Sequence, residues 1–300
     1  MSEHRRGVWY ALGAYVFWGV TPIFWNLLHG VPAPEMLAHR IVWSIPLLVG
    51  VVTVRRRWSV IRRVFSSPQT ARTAAVAGGL LAVNWGLYVW AVTSGHIVDA
   101  SLGYYINPLV SVALGVIVLH ERLRAAQKAA VAIAAVGVAG MAVMLGVVPW
   151  ISLTLAFSFG FYGLLKKGDA AAPPLEGLLG ETTVLALPAL AYLGYLSVRA
   201  DASFGSDLQL SVSLVAAGAV TVFPLLLFGA AAQRIPLSMV GLLQYIAPSL
   251  QLVVGIWLYG ETMGTADLFG FATVWIALAL YSIDNVRAGR LAAAEAPALS

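Results

Sequence analysis

The chain has 300 residues, 60% of them apolar and 10% charged, with a mean hydropathy of +0.85. A soluble protein carries roughly a quarter charged residues, so a soluble domain of any size is excluded. The absence of cysteine removes disulfides, thiol nucleophiles and thiolate metal sites, and the net charge of +5 reads as the Arg/Lys excess of cytoplasmic loops, not as a nucleic-acid surface.

Apolar runs of about twenty residues, long enough to cross a bilayer core of about 30 Å, fall at 8–28, 36–54, 74–94, 97–119, 129–148, 150–166, 175–196, 211–232, 236–259 and 266–284. The first run outlasts a signal-peptide core and no small-residue cleavage site follows it, so it reads as an uncleaved helix. It carries Phe17, Trp18 and Trp25. The second span places His39 and Arg40 about one turn inside. An arginine at mid-span costs about 2.5–3.5 kcal/mol on insertion scales. Arg40 is therefore expected to meet an anion (Glu35, an acid of another span such as Glu181, or a substrate carboxylate) unless it snorkels. The segment from Arg55 to Thr73 is the longest basic loop, held near anionic lipid, with a short surface helix as the alternative.

The third span sets Asn84, Trp85 and Tyr88 within about one turn. Asp99 opens the fourth as a helix cap, followed at helical spacing by Ser101, Tyr104, Tyr105 and Pro108. The sixth holds Phe159 and Tyr162, the seventh Glu181. In the ninth, Gly241, Gln244, Tyr245 and Pro248 precede Gln251. A proline within a helix frees the carbonyl four residues earlier, here those of Tyr104 and Gln244, so Pro108 and Pro248 are the expected hinges. Asp284 is expected at the interface, and residues 285–300 as a disordered cytoplasmic tail.

With the N-terminus cytoplasmic, inside segments hold 16 Lys/Arg and the outside loops only Arg199. Both termini are therefore expected inside. A shift of 140 residues places Leu102-Gly-Tyr-Tyr-Ile-Asn-Pro108 on Leu242-Leu-Gln-Tyr-Ile-Ala-Pro248, Gly115 on Gly255 and Glu121 on Glu261. A shift of 141 places Trp18-Gly19 on Phe159-Gly160 and Glu35 on Glu176. Residues 1–148 and 149–284 thus read as two five-helix repeats, with 285–300 as the tail. An odd number of spans inverts the second copy. The expected fold is an all-α polytopic membrane protein of ten transmembrane helices in two inverted repeats, a transporter signature.

No paired carboxylates for Mg²⁺, no H-E-x-x-H and no Gly-rich phosphate loop occurs, so no enzyme, catalytic residue, metal or cofactor is expected. The cavity lining is expected from Trp18, His39, Arg40, Asn84, Tyr88, Ser101, Tyr104, Tyr105, Tyr162, Glu181, Gln244 and Tyr245. Few acids lie inside spans, which points away from an obligatory proton relay and towards facilitated diffusion.

Glu35-Met-Leu-Ala-His-Arg-Ile-Val-Trp-Ser44, Asn84-Trp-Gly-Leu-Tyr-Val-Trp90, the run from Asp99 through Ser101-Leu-Gly-Tyr-Tyr-Ile-Asn-Pro108 to His120-Glu121-Arg122, and Leu242 to Pro248 resemble RarD proteins of the EamA branch of the drug/metabolite transporter superfamily. The resemblance covers nearly the whole chain. It implies ten helices, two inverted EamA-like repeats, a central cavity, cytoplasmic termini and a bacterial inner membrane. It further implies export of amino acids or related metabolites, with aromatic amino acids favoured in the YddG-type branch. The expected partners are a small-molecule substrate and the bilayer, and not nucleic acid; the sequence leaves the oligomeric state open, a monomer included. Two rivals are a sugar-phosphate or nucleotide-sugar exchanger, which needs a cluster of cavity cations where Arg40 alone is clear, and a membrane sensor that binds without flux.

Overall fold

The computed structural model describes residues 2–56, 58–59, 68–146, 150–167, 172–260 and 264–295. The surface-helix question in the Arg55–Thr73 loop, the side chain of Asp99 and the surroundings of Glu261 lie outside what is described. The helices are α1 (Glu3–Trp25, prolonged by a 3₁₀ turn at Asn26–Leu28), α2 (Ala33–Val42), α3 (Ser44–Val54), α4 (Pro68–Thr93), α5 (Ile97–Ile117) and α6 (Ala125–Leu145). They continue with α7 (Trp150–Lys167), α8 (Pro174–Val198), α9 (Leu208–Ala232), α10 (Leu237–Gln244), α11 (Ile246–Tyr259) and α12 (Thr265–Glu295). Among the described residues, nine segments are long and apolar enough to cross a membrane. The sixth expected span forms α7, an 18-residue helix whose Lys166 and Lys167 keep its hydropathy below theirs.

Two expected spans are each broken once. The second divides at Trp43 into α2 and α3, and the ninth at Tyr245 into α10 and α11. Each break lies three residues before a proline, Pro46 and Pro248, whose missing N–H and ring clash remove the bond to the carbonyl one turn earlier. At the other expected hinge, Pro108, α5 runs on without interruption. A Cβ on Gly241 would stand 2.7 Å from the Pro108 carbonyl oxygen, so the backbones of α10 and α5 meet there directly. The disordered tail is also corrected. Helix α12 continues to Glu295, consistent with the strong helix propensity of its Arg, Leu and Ala residues.

Successive spans, each broken pair counted as one, run back and forth, which gives the bundle two ends. At the proximal end, where α1 begins, Arg234 Nε donates to Glu3 Oε2 at 2.9 Å and Lys167 Nζ to the Ile235 carbonyl at 2.7 Å. Glu121 accepts the Leu237 and Ser238 amides at 2.6 and 2.9 Å, an acidic cap on the first turn of α10. There too Arg124 donates to Asp284 at 2.6 Å. At the distal end Trp90 packs on Trp150, and Ser203 of the α8–α9 connection donates to Glu35 through its N–H at 2.7 Å and its hydroxyl at 2.8 Å. Small residues set the spacing, as in membrane bundles generally. The tightest approach to another helix's backbone is at Gly218 of α9, where a Cβ would fall 2.5 Å from the Trp43 carbonyl carbon at the α2/α3 break.

Candidate functional site

Helical periodicity locates an opening. On α4 the inward stripe runs through Ala74, Ala77 and Leu81, all buried, then half-buried Trp85, then Tyr88 at 37% exposed. On α5 the stripe of Gly115, Ser111 and Pro108 is buried, whereas Tyr104 at 40% and Ser101 are exposed. Both stripes therefore open towards the distal end. Tyr88 and Tyr104 face each other across that opening, edge to face with centroids 5.9 Å apart, and both lie close enough to the Arg40 guanidinium to interact with it electrostatically.

Arg40 is the centre of this group. Its guanidinium carbon lies 4.5 Å from the Trp85 ring centroid and 5.3 Å from that of Trp25, and its Nε donates to Thr221 Oγ1 at 3.0 Å. Thr221 passes its own proton to the Ala217 carbonyl at 2.8 Å and so is free to accept. Two desolvated cation–π faces at roughly 2 kcal/mol each are comparable with the insertion cost of an arginine. Among the described residues no carboxylate pairs with Arg40 and no acceptor meets its Nη groups. Beside it, a cavity of about 10 Å³, the size of one water, is lined by Ser44, Leu81, Trp85, Thr182 and Thr221 among others.

None of the described carboxylates is thus the anion expected for Arg40. Glu35 is fully buried and bonded to Ser203, with His39 Nε2 3.8 Å from its Oε1. Glu181 is corrected as a partner of Arg40. It is 2% exposed, pairs with Lys166 of α7, and accepts the Tyr162 hydroxyl at 3.1 Å. Lys166, one of two adjacent lysines at the end of α7, is buried too. His39 stacks on Phe204, centroids 5.2 Å apart, and accepts the Trp43 indole N–H on Nδ1 at 3.2 Å.

Other expected lining residues are packed away. Asn84 donates both amide hydrogens to α7, to the Leu155 carbonyl at 2.8 Å and Ser158 Oγ at 2.9 Å, which corrects it from a free polar contact to a helix tie. Tyr105 and Tyr245 are core residues linked to each other, the Tyr245 hydroxyl donating to the Tyr105 carbonyl at 3.0 Å. Gln244 is buried at the α10/α11 break with its Oε1 unpaired. Trp18 and Tyr162 join Tyr15, Phe159 and Phe228 in an aromatic cluster with centroids 5.2 to 6.5 Å apart. Tyr15, Tyr162 and Phe228 are buried, and the Tyr15 hydroxyl donates to the Val240 carbonyl at 3.0 Å. This cluster fills the bundle on the proximal side of Arg40. The structure therefore gathers Arg40, Tyr88 and Tyr104 with Trp25, Trp85 and Thr221, and leaves Ser101 at the distal rim.

Residues 5–143 match the model of the EamA-like transporter family. Protein RarD of Streptomyces exfoliatus is 46% identical over 290 residues, covering 96% of this chain and 92% of its own length. This chain belongs to the RarD/EamA-type transporters of the drug/metabolite transporter superfamily. Protein RarD of Escherichia coli K12 is 41% identical over 95% of this chain and 96% of its own. The chloramphenicol-sensitive protein RarD of Pseudomonas aeruginosa is 29% identical over 96% and 97%. A solved crystal structure, 19% identical, superposes with a TM-score of 0.73 over 94% of this chain and 99% of that one, which shows a shared fold. The chain is a multi-pass bacterial membrane protein and a transporter of this type.

Proposed function

We propose that this RarD-type transporter exports amino acids, aromatic and other apolar ones above all, or similar small carboxylate-bearing metabolites, by alternating access across the bacterial inner membrane. The observation that carries the reading is Arg40, a cation inside the bundle whose Nη groups meet no acceptor among the described residues and which faces an opening. A substrate carboxylate supplies the missing anion through charge-assisted hydrogen bonds to the guanidinium. The rings of Trp25, Trp85, Tyr88 and Tyr104 supply an apolar wall, and the two tyrosine hydroxyls a polar one.

The export direction rests on the charge asymmetry of the loops, which puts the proximal end in the cytoplasm and makes the distal opening the exit. Alternating access is supported by the contrast between an open distal end and a filled proximal end, and by helix breaks at Trp43 and Tyr245 that can absorb a change of angle. The inverted repeat is supported by Tyr105 and Tyr245, equivalent positions that bond across the two halves. A single cavity arginine disfavours a phosphate-bearing substrate, which calls for a cluster of cations.

The test is flux in liposomes reconstituted with the full chain and loaded with labelled phenylalanine, tryptophan or leucine. Efflux well above empty vesicles, lost in Arg40→Gln, is expected. No flux for any of the tested amino acids overturns the reading.

A further inference from the structure

The pair formed by Lys166 and Glu181 plays no part in holding a substrate at Arg40, yet it is buried inside the bundle, its side chains 6% and 3% exposed. Stability alone gives little reason for it. Burying two charges costs each its hydration, and an apolar pair of similar volume commonly holds two helices as well or better. Ionisable groups inside membrane spans mark ion or proton sites often enough to be read that way first.

Three features single out this pair. A second cavity of about 10 Å³ is lined by both side chains together with Thr70, Thr73, Ala74 and Ala77 of α4. It is large enough for one water and leads from the carboxylate towards the proximal start of α4. Next, the Tyr162 hydroxyl is bonded to Glu181 while its ring stacks on Phe228 at 5.8 Å, so the carboxylate is wired to the aromatic cluster that fills the proximal half. Finally, Glu181 adjoins Thr182, which lines the cavity beside Arg40.

We infer that Glu181, held by Lys166 and Tyr162, is a proton-binding site that latches the proximal half of the transporter closed. A proton from water adds to the carboxylate oxygen facing Lys166 and forms an O–H bond. The carboxyl loses its charge, Lys166 keeps its own and turns to the water in the Thr70–Thr73 cavity, and α7 is released from α8. The proton returns to water when the pair re-forms. This adds an ion to the export reading, where the scarcity of acids had pointed to facilitated diffusion. The ionisable groups that meet Glu181 are Lys166 and Tyr162 of α7. Helix α4 presents Thr70 and Thr73 to its cavity, and α9 presents Thr221 to the neighbouring one. The ionisable groups of α2 are engaged elsewhere, Arg40 with Thr221, Glu35 with Ser203 and His39 with Phe204. Glu176, a turn earlier on α8, is also buried.

The chain has no cysteine, so one introduced thiol reports alone. In the full-length protein carrying Ala77→Cys, the rate of maleimide labelling is normalised to the same chain carrying Ser206→Cys in the exposed α8–α9 connection. The ratio is expected to rise several-fold as the medium is taken from mildly alkaline to mildly acidic. With Glu181→Gln added it is expected to be high and independent of pH. Should that variant fail to fold, Lys166→Met with Glu181→Met removes both charges, and the ratio must again ignore pH. A ratio that stays flat without these changes, or that keeps its pH dependence in either variant, overturns the proposal. No substrate takes part, so this result and the liposome flux fail or succeed separately.

Discussion

Arg40 and Lys166 are two cations held inside the same bundle, and their surroundings differ in kind. Lys166 is paired with a buried carboxylate, and the tyrosine bound to that carboxylate belongs to a closed aromatic cluster. Arg40 has two indole faces, one threonine oxygen and an opening lined by half-exposed tyrosines. The first site has its counter-ion inside the bundle; the second meets no carboxylate among the described residues. Within one protein, the difference separates a charge pair that can open and re-form within the fold from a cation that the fold presents to a ligand.

The sharpest way to break this comparison is to remove Lys166. Lys166→Met leaves Glu181 buried and uncompensated and is expected to cost about 3–5 kcal/mol, with much of that recovered when Glu181→Met is added. Thermal unfolding of the two purified variants measures it, and a double variant no more stable than the single would remove the case for a dedicated pair. Next in size is Gly218→Ala. Its Cβ would collide with backbone at the α2/α3 break, where no side chain can swing away, and overpacking of that kind costs about 1–3 kcal/mol. The same unfolding assay reads it.

Arg40→Gln is expected to move stability the other way or not at all, because the insertion cost of an arginine disappears with it. What it loses is ligand-dependent stabilisation. A large drop in the melting midpoint without ligand would recast Arg40 as structural. The smallest expected change is Tyr88→Phe, within about 0.5 kcal/mol for a half-exposed group, since its hydroxyl faces the opening. It sharpens the comparison through a weaker response to ligand.

Much of this fold was legible in the sequence because a membrane helix needs a run of apolar residues and little else. The site was less legible, for reasons visible in single residues. Pro46 carries the same signal as Pro248, and a break precedes it at the same distance, yet the stretch that follows it is apolar and has no counterpart of Gln251 to draw notice. Pro108 carries the signal without a break, since the close approach of Gly241 holds that stretch of α5 against α10. Lys166 and Lys167 are adjacent and look alike in the sequence. The rotation of about 100° between successive helical residues sends Lys166 into the bundle, where it meets Glu181, and Lys167 to the proximal rim. Asn84 and Tyr88 are one turn apart on α4, but only the first faces a helix with acceptors to offer. Partner identity across helices is a tertiary property, and no spacing within one helix encodes it.

The role of Arg40 as a carboxylate ligand is tested most directly by ligand-induced thermal shifts that compare phenylalanine with phenethylamine, which has the same ring but no carboxylate. The account predicts that phenylalanine raises the melting midpoint of the unaltered protein, that phenethylamine does not, and that neither does so in Arg40→Gln. Equal shifts from the two compounds, or a phenylalanine shift that survives in Arg40→Gln, would contradict it.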